Sequence, residues 1–303
     1  MKAGMIGLGN MGGAIAQRLL EQGVELYVCD LDHHACERVK SLGAIICDTP
    51  RSVADHAETV IGCLPTVNAA RQVLDGDEGV LGGGIKHYIE MSTIGPASAS
   101  EHAAMSEVKN CAFIDAAVSG GRGAALSGDL VIMLASAPKA LTETRPLIET
   151  LSSRYFLVGD LPGQAQAMKL VNNLLAAANM ATSFEALALG VAMGLAPEKI
   201  AEIVNVSSGK NTGMVDRRID AILSRKFDSG PKIGLLLKDI ELAFSHAAKI
   251  GFPMGAAPAL SGMADLWQRA ADADMETQDV SALIQIVEDA ANVEVTGKVK
   301  RPD

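Results

Sequence analysis

The sequence predicts an α/β domain built on a mainly parallel sheet, followed by an all-α helical domain reached through one long interdomain helix. Three observations carry that prediction. A glycine motif sits between a strand-like and a helix-like segment at the N-terminus. Strand-like and helix-like segments then alternate as far as Pro162, and from Gln164 onward helical periodicity alone remains. The expected division is residues 1–162, residues 163–296, and a solvated tail over 297–303.

Composition narrows the classes of partner. The chain has 303 residues, 49% hydrophobic and 20% charged, enough apolar material for two cores. A formal net charge of −10 repels nucleic acid and anionic membrane, so neither is an expected partner, and an anionic small molecule would need a local basic pocket. Cys29, Cys36, Cys47, Cys63 and Cys111 are an odd set without C-x-x-C spacing and read as reduced core residues of a cytoplasmic protein. The N-terminus enters the glycine motif without a cationic and then apolar leader, which fits the same compartment. Lys169, Asn172, Asn173, Asn179 and Glu185 interrupt the long apolar run, so no uninterrupted stretch approaches the ~18 residues of a membrane span. There is no HExxH, no clustered Cys/His set and no GxSxG, so metal and serine chemistry have no support.

In chain order, Lys2–Ile6 reads as a buried strand. Gly7-Leu8-Gly9-Asn10-Met11-Gly12 and a helix-like run, Ala14–Gln22, come next. This is G-x-G-x-x-G in its strand-turn-helix setting: Gly7 for the tight turn, Gly9 for close approach of a pyrophosphate, Gly12 for packing helix on strand, with helix amides offered to phosphate. The strand Glu25–Cys29 ends at Asp30, placed to bind a ribose 2′-hydroxyl and to repel a 2′-phosphate, so the expected coenzyme is NAD ahead of NADP. Asp30 as a helix cap, with Asp32 in the ribose role, is the alternative; His33 and His34 read as solvated.

Further strands are expected at Ala44–Cys47, Thr59–Leu64, Tyr88–Met91, Ala112–Asp115, Leu130–Ala135 and Arg154–Val158, with helices at Thr66–Leu74, Pro96–Lys109 and Lys139–Leu151. Ligands of such sheets gather at the carboxyl ends of strands. Leu64-Pro65-Thr66 and Met91-Ser92-Thr93-Ile94 lie at two of these ends and suit the nicotinamide ribose and ring, or ordinary turns and caps. In Asp115–Gly123, consecutive small residues suit either an anion-holding nest beside a hydroxyl, with Arg122 adding charge, or a glycine-rich hairpin loop.

The run Gln164–Met193 is the long helix, closed by Gly194 and Pro197. On it Lys169 and Asn173 share a face, while Asn172 points about 100° away and suits packing. Later helices are expected at Pro197–Val206, Asp216–Ser224, Ile233–Ile250, Pro258–Ala271 and Asp279–Ala290, with a polar loop at 207–213; Lys238-Asp239 reads as a surface ion pair.

Four ordered motifs then resemble the β-hydroxyacid dehydrogenases, the group of 3-hydroxyisobutyrate dehydrogenase and tartronate semialdehyde reductase: GLGNMG, DAAVSGG at Asp115–Gly121, GQAQAMKLVNN at Gly163–Asn173, and LLLKD at Leu235–Asp239. The resemblance covers nearly the whole chain. It implies a Rossmann domain followed by an all-helical domain, packed as a homodimer or homotetramer through the helical part. It further implies that Ser119, Gly120 and Gly121 bind a substrate carboxylate and that Lys169 is the catalytic acid/base. Asn173 would orient the substrate, Lys238 would lie near the nicotinamide and Thr93 near its ribose.

Ala117 and Ala165 depart mildly from the family pattern. Pro231, and Lys210-Asn211-Thr212 in place of a tryptophan-bearing loop, leave the substrate open among small hydroxy acids, their semialdehydes and sulfonate analogues. The expected reaction is reversible hydride transfer between NAD(H) and a small 3-hydroxy acid or its semialdehyde. Lys169 would carry the proton, its pKa lowered by burial and by the neighbouring cation Lys238. Arg122, Lys169, Lys210 and Lys238 would form the local positive pocket. Two alternatives are an imine reductase, which usually has aspartate or tyrosine in place of the lysine, and a non-catalytic dinucleotide-binding regulatory protein, which generally loses it.

Overall fold

The computed structural model describes residues 1–297; the remainder of the expected tail lies outside the described residues. The chain divides into two compact units, Met1–Lys169 and the residues from Leu170 onward.

The first unit is a sheet covered by helices. Its elements run β1 (Lys2–Ile6), α1 (Asn10–Glu21), β2 (Glu25–Cys29), α2 (His33–Lys40), β3 (Ile45–Ile46), α3 (Pro50–Ala54), β4 (Thr59–Gly62) and α4 (Val67–Asp75). They continue through β5 (His87–Glu90), α5 (Gly95–Val108), β6 (Ala112–Ser119), α6 (Gly121–Ser127), β7 (Val131–Ala135), α7 (Pro138–Leu151) and β8 (Tyr155–Gly159) to the start of α8 (Gln164–Ala192). The strand order is β3-β2-β1-β4-β5-β6-β7-β8. Successive residues of each central strand feed opposite faces: Met5, Val28, Ile61, Ile89 and Ile114 join one core, and Ile6, Tyr27, Val60, Tyr88 and Phe113 the other. Burial on both faces explains why these strands read as continuous apolar runs.

Two local expectations change here. β6 does not stop at Asp115 but continues to Ser119, and the glycine-rich segment after it starts a short helix, α6. β7 pairs antiparallel with β6, and β8 runs parallel to β7. The link 120–130 is too short for a crossover to a parallel neighbour, so the chain turns back beside β6. His33 and His34 are exposed, at the start of a helix, α2, that their polarity disguises.

The second unit is helical among the described residues: the rest of α8, then α9 (Pro197–Val204), α10 (Asp216–Leu223), α11 (Ile233–Lys249), α12 (Pro258–Asp272) and α13 (Ile284–Ala291). The single helix expected from Asp279 is a 3-10 turn, Val280–Leu283, capped by Asp279, followed by α13. α8 ends where Gly194 adopts φ +88°; the Gly194 and Leu195 N–H groups donate to Val191 and Gly190 carbonyls, which closes the last turn. α8 is long and apolar enough to cross a membrane by length and composition. Its Ala177, Met180, Phe184, Leu187 and Ala188 lie in the core of the helical unit, which accounts for that composition.

Trp267 is the largest fully buried side chain of that core, and its indole N–H donates to the Ala177 carbonyl at 3.4 Å. Trp267→Ala is therefore expected to cost about 3–5 kcal/mol, read by urea denaturation. A loss below about 1 kcal/mol would contradict this packing.

Candidate active site

The switch in strand order falls at β1, between β2 and β4, and the glycine motif leaves the sheet there. Gly7 has φ +88°, and a Cβ on it would stand 2.3 Å from the Cys63 carbonyl oxygen. A Cβ on Gly12 would stand 1.9 Å from the Gly7 oxygen, so α1 packs on the turn only without a side chain there. In front of Gly9 there is nothing within 4 Å of such an atom, and α1 begins without a side-chain cap. The first-turn amides of Asn10, Met11 and Gly12 at an open, glycine-lined approach fit a dinucleotide pyrophosphate.

Asp30 braces this loop. One of its carboxylate oxygens accepts from the Leu8 N–H, the other from the Asp32 N–H at 2.8 Å. Asp32, not Asp30, caps α2, accepting from the His34 N–H. Leu8 contributes a wholly buried side chain and an amide committed to Asp30, so it holds the loop in shape. At the end of β4 the Leu64 N–H donates to the Ser92 hydroxyl at 2.8 Å, Pro65 is exposed, and Thr66 caps α4. Thr93 is half-buried just beyond β5.

Ser119 closes β6, and Gly120 and Gly121 come after it with φ +131° and +74°. These two left-handed residues make the turn into α6, which packs along α1, so the Ser-Gly-Gly turn and the glycine motif belong to neighbouring helices. Arg122 is exposed on α6. Lys169, half-buried, lies in the second turn of α8 and in the same compact unit as both turns. In the helical unit, Asn173 donates through Nδ2 to an Asp239 oxygen at 2.6 Å, and Lys238 pairs with the other Asp239 oxygen at 2.9 Å. That pair is largely buried rather than on the surface, with Asp239 only 4% exposed, and it offsets the charge of Lys238. The Asn172 amide donates to the Asn173 oxygen, and Lys210 is exposed.

The start of α8 is fixed by Asp115, Gly163 and Gln166, which lie within two of the motifs but carry no expected role. Asp115, in mid-strand and fully buried, accepts through one oxygen from the N–H groups of Gly163 (2.9 Å) and Gln166 (3.2 Å), and through the other from the Gln166 side-chain amide (2.9 Å). Glu90, also fully buried, is its register partner on β5 and accepts from the Ser92 N–H. Burial pushes the Asp115 carboxyl up to about 6, the like charge of Glu90 adding to it, against the pull of the three donors. A lone acid inside the apolar run Phe113–Val118 is the signal in the sequence: such a residue in a buried strand must have donors nearby.

The comparisons with known proteins fit this arrangement. Residues 2–159 match the NAD-binding domain of 6-phosphogluconate dehydrogenase, and residues 163–287 match the domain described as NAD-binding of NADP-dependent 3-hydroxyisobutyrate dehydrogenase. The 2-(hydroxymethyl)glutarate dehydrogenase of Eubacterium barkeri is 32% identical over 301 residues, 98% of each chain. The chain belongs to the β-hydroxyacid dehydrogenase family. A solved 3-hydroxyisobutyrate dehydrogenase from Salmonella typhimurium has a TM-score of 0.85 at 27% identity, covering 94% of this chain and 99% of its own. An imine reductase from Myxococcus stipitatus, at 18% identity and a TM-score of 0.65 over 95% of this chain and 100% of its own, shares the fold alone. As a family member, the chain is an NAD(P)-dependent oxidoreductase of the hydroxyacid dehydrogenase type, acting on CH–OH donors.

The raised Asp115 carboxyl makes the stability of the fold depend on pH. Its folded pKa of about 6 lies above the ordinary carboxylate value of 3.8, so between pH 4 and 6 the folded chain holds a proton that the unfolded chain has released. Stability from this group is present at low pH and falls as pH rises through that window, by up to about 3 kcal/mol. Asp115→Asn has no such proton. The wild-type advantage over Asp115→Asn in urea denaturation is expected to shrink from pH 4 to pH 6.5, and a constant difference would contradict the assignment.

Proposed function

We propose that this enzyme interconverts a small 3-hydroxy acid and its semialdehyde, using NAD in preference to NADP, with Lys169 as the acid/base. The observation that carries the reading is the set of hydrogen bonds that holds the start of α8, one turn before Lys169, to the β5 end at Ser92, Ile94 and Gly95 and to Asp115 on β6, the strand that ends at Ser119. Bound NAD supplies the hydride acceptor for oxidation.

The chain's own residues supply recognition and proton transfer. The Ser119 hydroxyl and the amides around Gly120 and Gly121 suit a carboxylate, since successive backbone N–H groups in a turn form an anion-holding concavity. Arg122 adds positive charge beside it in a protein that is otherwise acidic. The Lys169 amine takes the hydroxyl proton as hydride leaves, and the ammonium returns it to the developing alkoxide in the reverse direction. Asn173 and Lys238 serve as substrate-orienting groups, with Asp239 fixing both. Asp30 places a carboxylate where a 2′-phosphate would sit, hence the coenzyme preference.

The Eubacterium barkeri relative is named for a substrate whose hydroxymethyl group stands on the carbon next to a carboxylate, which supports a 3-hydroxy acid here. A homodimer or homotetramer in the cytoplasm completes the proposal.

The test is a panel of hydroxy acids and cyclic imines with NAD and NADP, read by absorbance of the reduced coenzyme. NAD reduction by a 3-hydroxy acid is expected; activity confined to cyclic imines would favour the imine reductase reading instead. Lys169→Ala should lower kcat by about 100-fold or more while NADH binding is kept, and near-normal turnover would overturn its role. Arg122→Ala should raise KM for the acid more than it lowers kcat, and an unchanged KM would remove Arg122 from the site.

A further inference from the structure

Gln166 is fully buried, and its side-chain amide has both donors and both acceptor positions engaged. Nε2 donates to the Ser92 carbonyl at 3.1 Å and to Asp115 Oδ1 at 2.9 Å. Oε1 accepts from the N–H groups of Ile94 at 2.9 Å and Gly95 at 3.1 Å. Only an amide of this length offers two donors and two acceptors here: glutamate has no donor when ionised, and methionine has none at all.

The partners matter more than their number. Ser92, Ile94 and Gly95 bracket Thr93 at the end of β5, the proposed coenzyme side. Asp115 lies on β6, whose last residue is Ser119 of the proposed carboxylate turn. Gln166 itself lies in the first turn of α8, three residues and ~4.5 Å along the axis before Lys169. One side chain thus ties together the coenzyme strand end, the substrate strand and the helix that carries the lysine. The helix start has no slack: the Gly163 N–H also donates to Asp115, and at φ +98° a Cβ on Gly163 would stand 2.8 Å from the Pro96 carbonyl.

Resting on the reading of Lys169 as the acid/base, we propose that Gln166 is its positioning residue, fixing the slide and rotation of α8 against β5 and β6 so that the lysine amine is held over the carbinol oxygen. A displacement of about 1 Å between reacting groups costs on the order of 100-fold in rate, so an amide that holds the helix to hydrogen-bond tolerance acts on turnover without touching substrate.

A double-mutant cycle tests this. Gln166→Met keeps length and apolar bulk and removes all four side-chain hydrogen bonds. In the holoenzyme it should lower kcat for alcohol oxidation about 10- to 100-fold, with the NADH dissociation constant and KM little changed. In the Lys169→Ala background the same substitution should add no more than about a 3-fold loss, because the group it positions is gone. A loss of equal size in both backgrounds would show that Gln166 acts on the fold in general and would overturn the positioning role while leaving Lys169 in place. Near-normal turnover of Lys169→Ala alone would overturn the lysine reading, and the positioning role with it, whatever Gln166→Met does. If Gln166→Met does not fold, Asp115→Asn carries the same cycle. It keeps an acceptor for the Gly163 and Gln166 N–H groups but sets an amide against the Gln166 amide, and the same two outcomes decide.

Discussion

A carboxylate buried in the middle of a strand holds the first unit together at its most demanding place. Asp115 brings a charge into the sheet, and an unpaired buried charge is one of the costliest things a fold can contain. Its donors come from the residues that begin α8: the amides of Gly163 and Gln166 and the Gln166 side chain. The helix must therefore start beside Asp115 in mid-β6, in a fixed rotation, and that rotation places every side chain on its next turn. Lys169 is on that turn.

The same logic governs the nucleotide end. Asp30 accepts from the Leu8 amide within the glycine loop and from Asp32 after it, so one acidic residue shapes the turn. In the helical unit, Asp239 repeats the pattern by holding Asn173 and Lys238 together. An acidic chain that handles an anionic substrate thus keeps three of its carboxylates engaged with its own loops and cations.

The features legible in the sequence have a local cause. The roles of Gly7, Gly9 and Gly12 follow from backbone sterics, and the space around each agrees with them. β1 and β2 match their expected bounds to the residue because glycine and charge delimit their apolar runs. The end of the long helix α8 matches to within a residue for the same kind of reason. The features that escape have a nonlocal cause. The hairpin reading of the glycine-rich link agrees with the antiparallel β7, but the helix α6 within that link does not show, and the Gln166 side-chain hydrogen bonds join residues 51 to 74 positions apart. Asp115 reads as a strand end because acids usually are; the apolar residues on both sides of it, Phe113–Val118, signal its burial, but its donors lie some fifty residues away and are not legible. Asn173 and Lys238 read as separate contacts, and the residue joining them, Asp239, reads as half of a surface pair.

The most direct measurement is the pH dependence of hydride transfer itself, followed as coenzyme reduction in a single turnover with substrate deuterated at the carbinol carbon. If an amine on α8 takes the hydroxyl proton, the rate should show a primary isotope effect throughout, rise with pH along one ionisation, and lose that ionisation when residue 169 carries no amine. An isotope-sensitive rate that is independent of pH in the wild-type enzyme, or an ionisation that survives removal of the Lys169 amine, would contradict it.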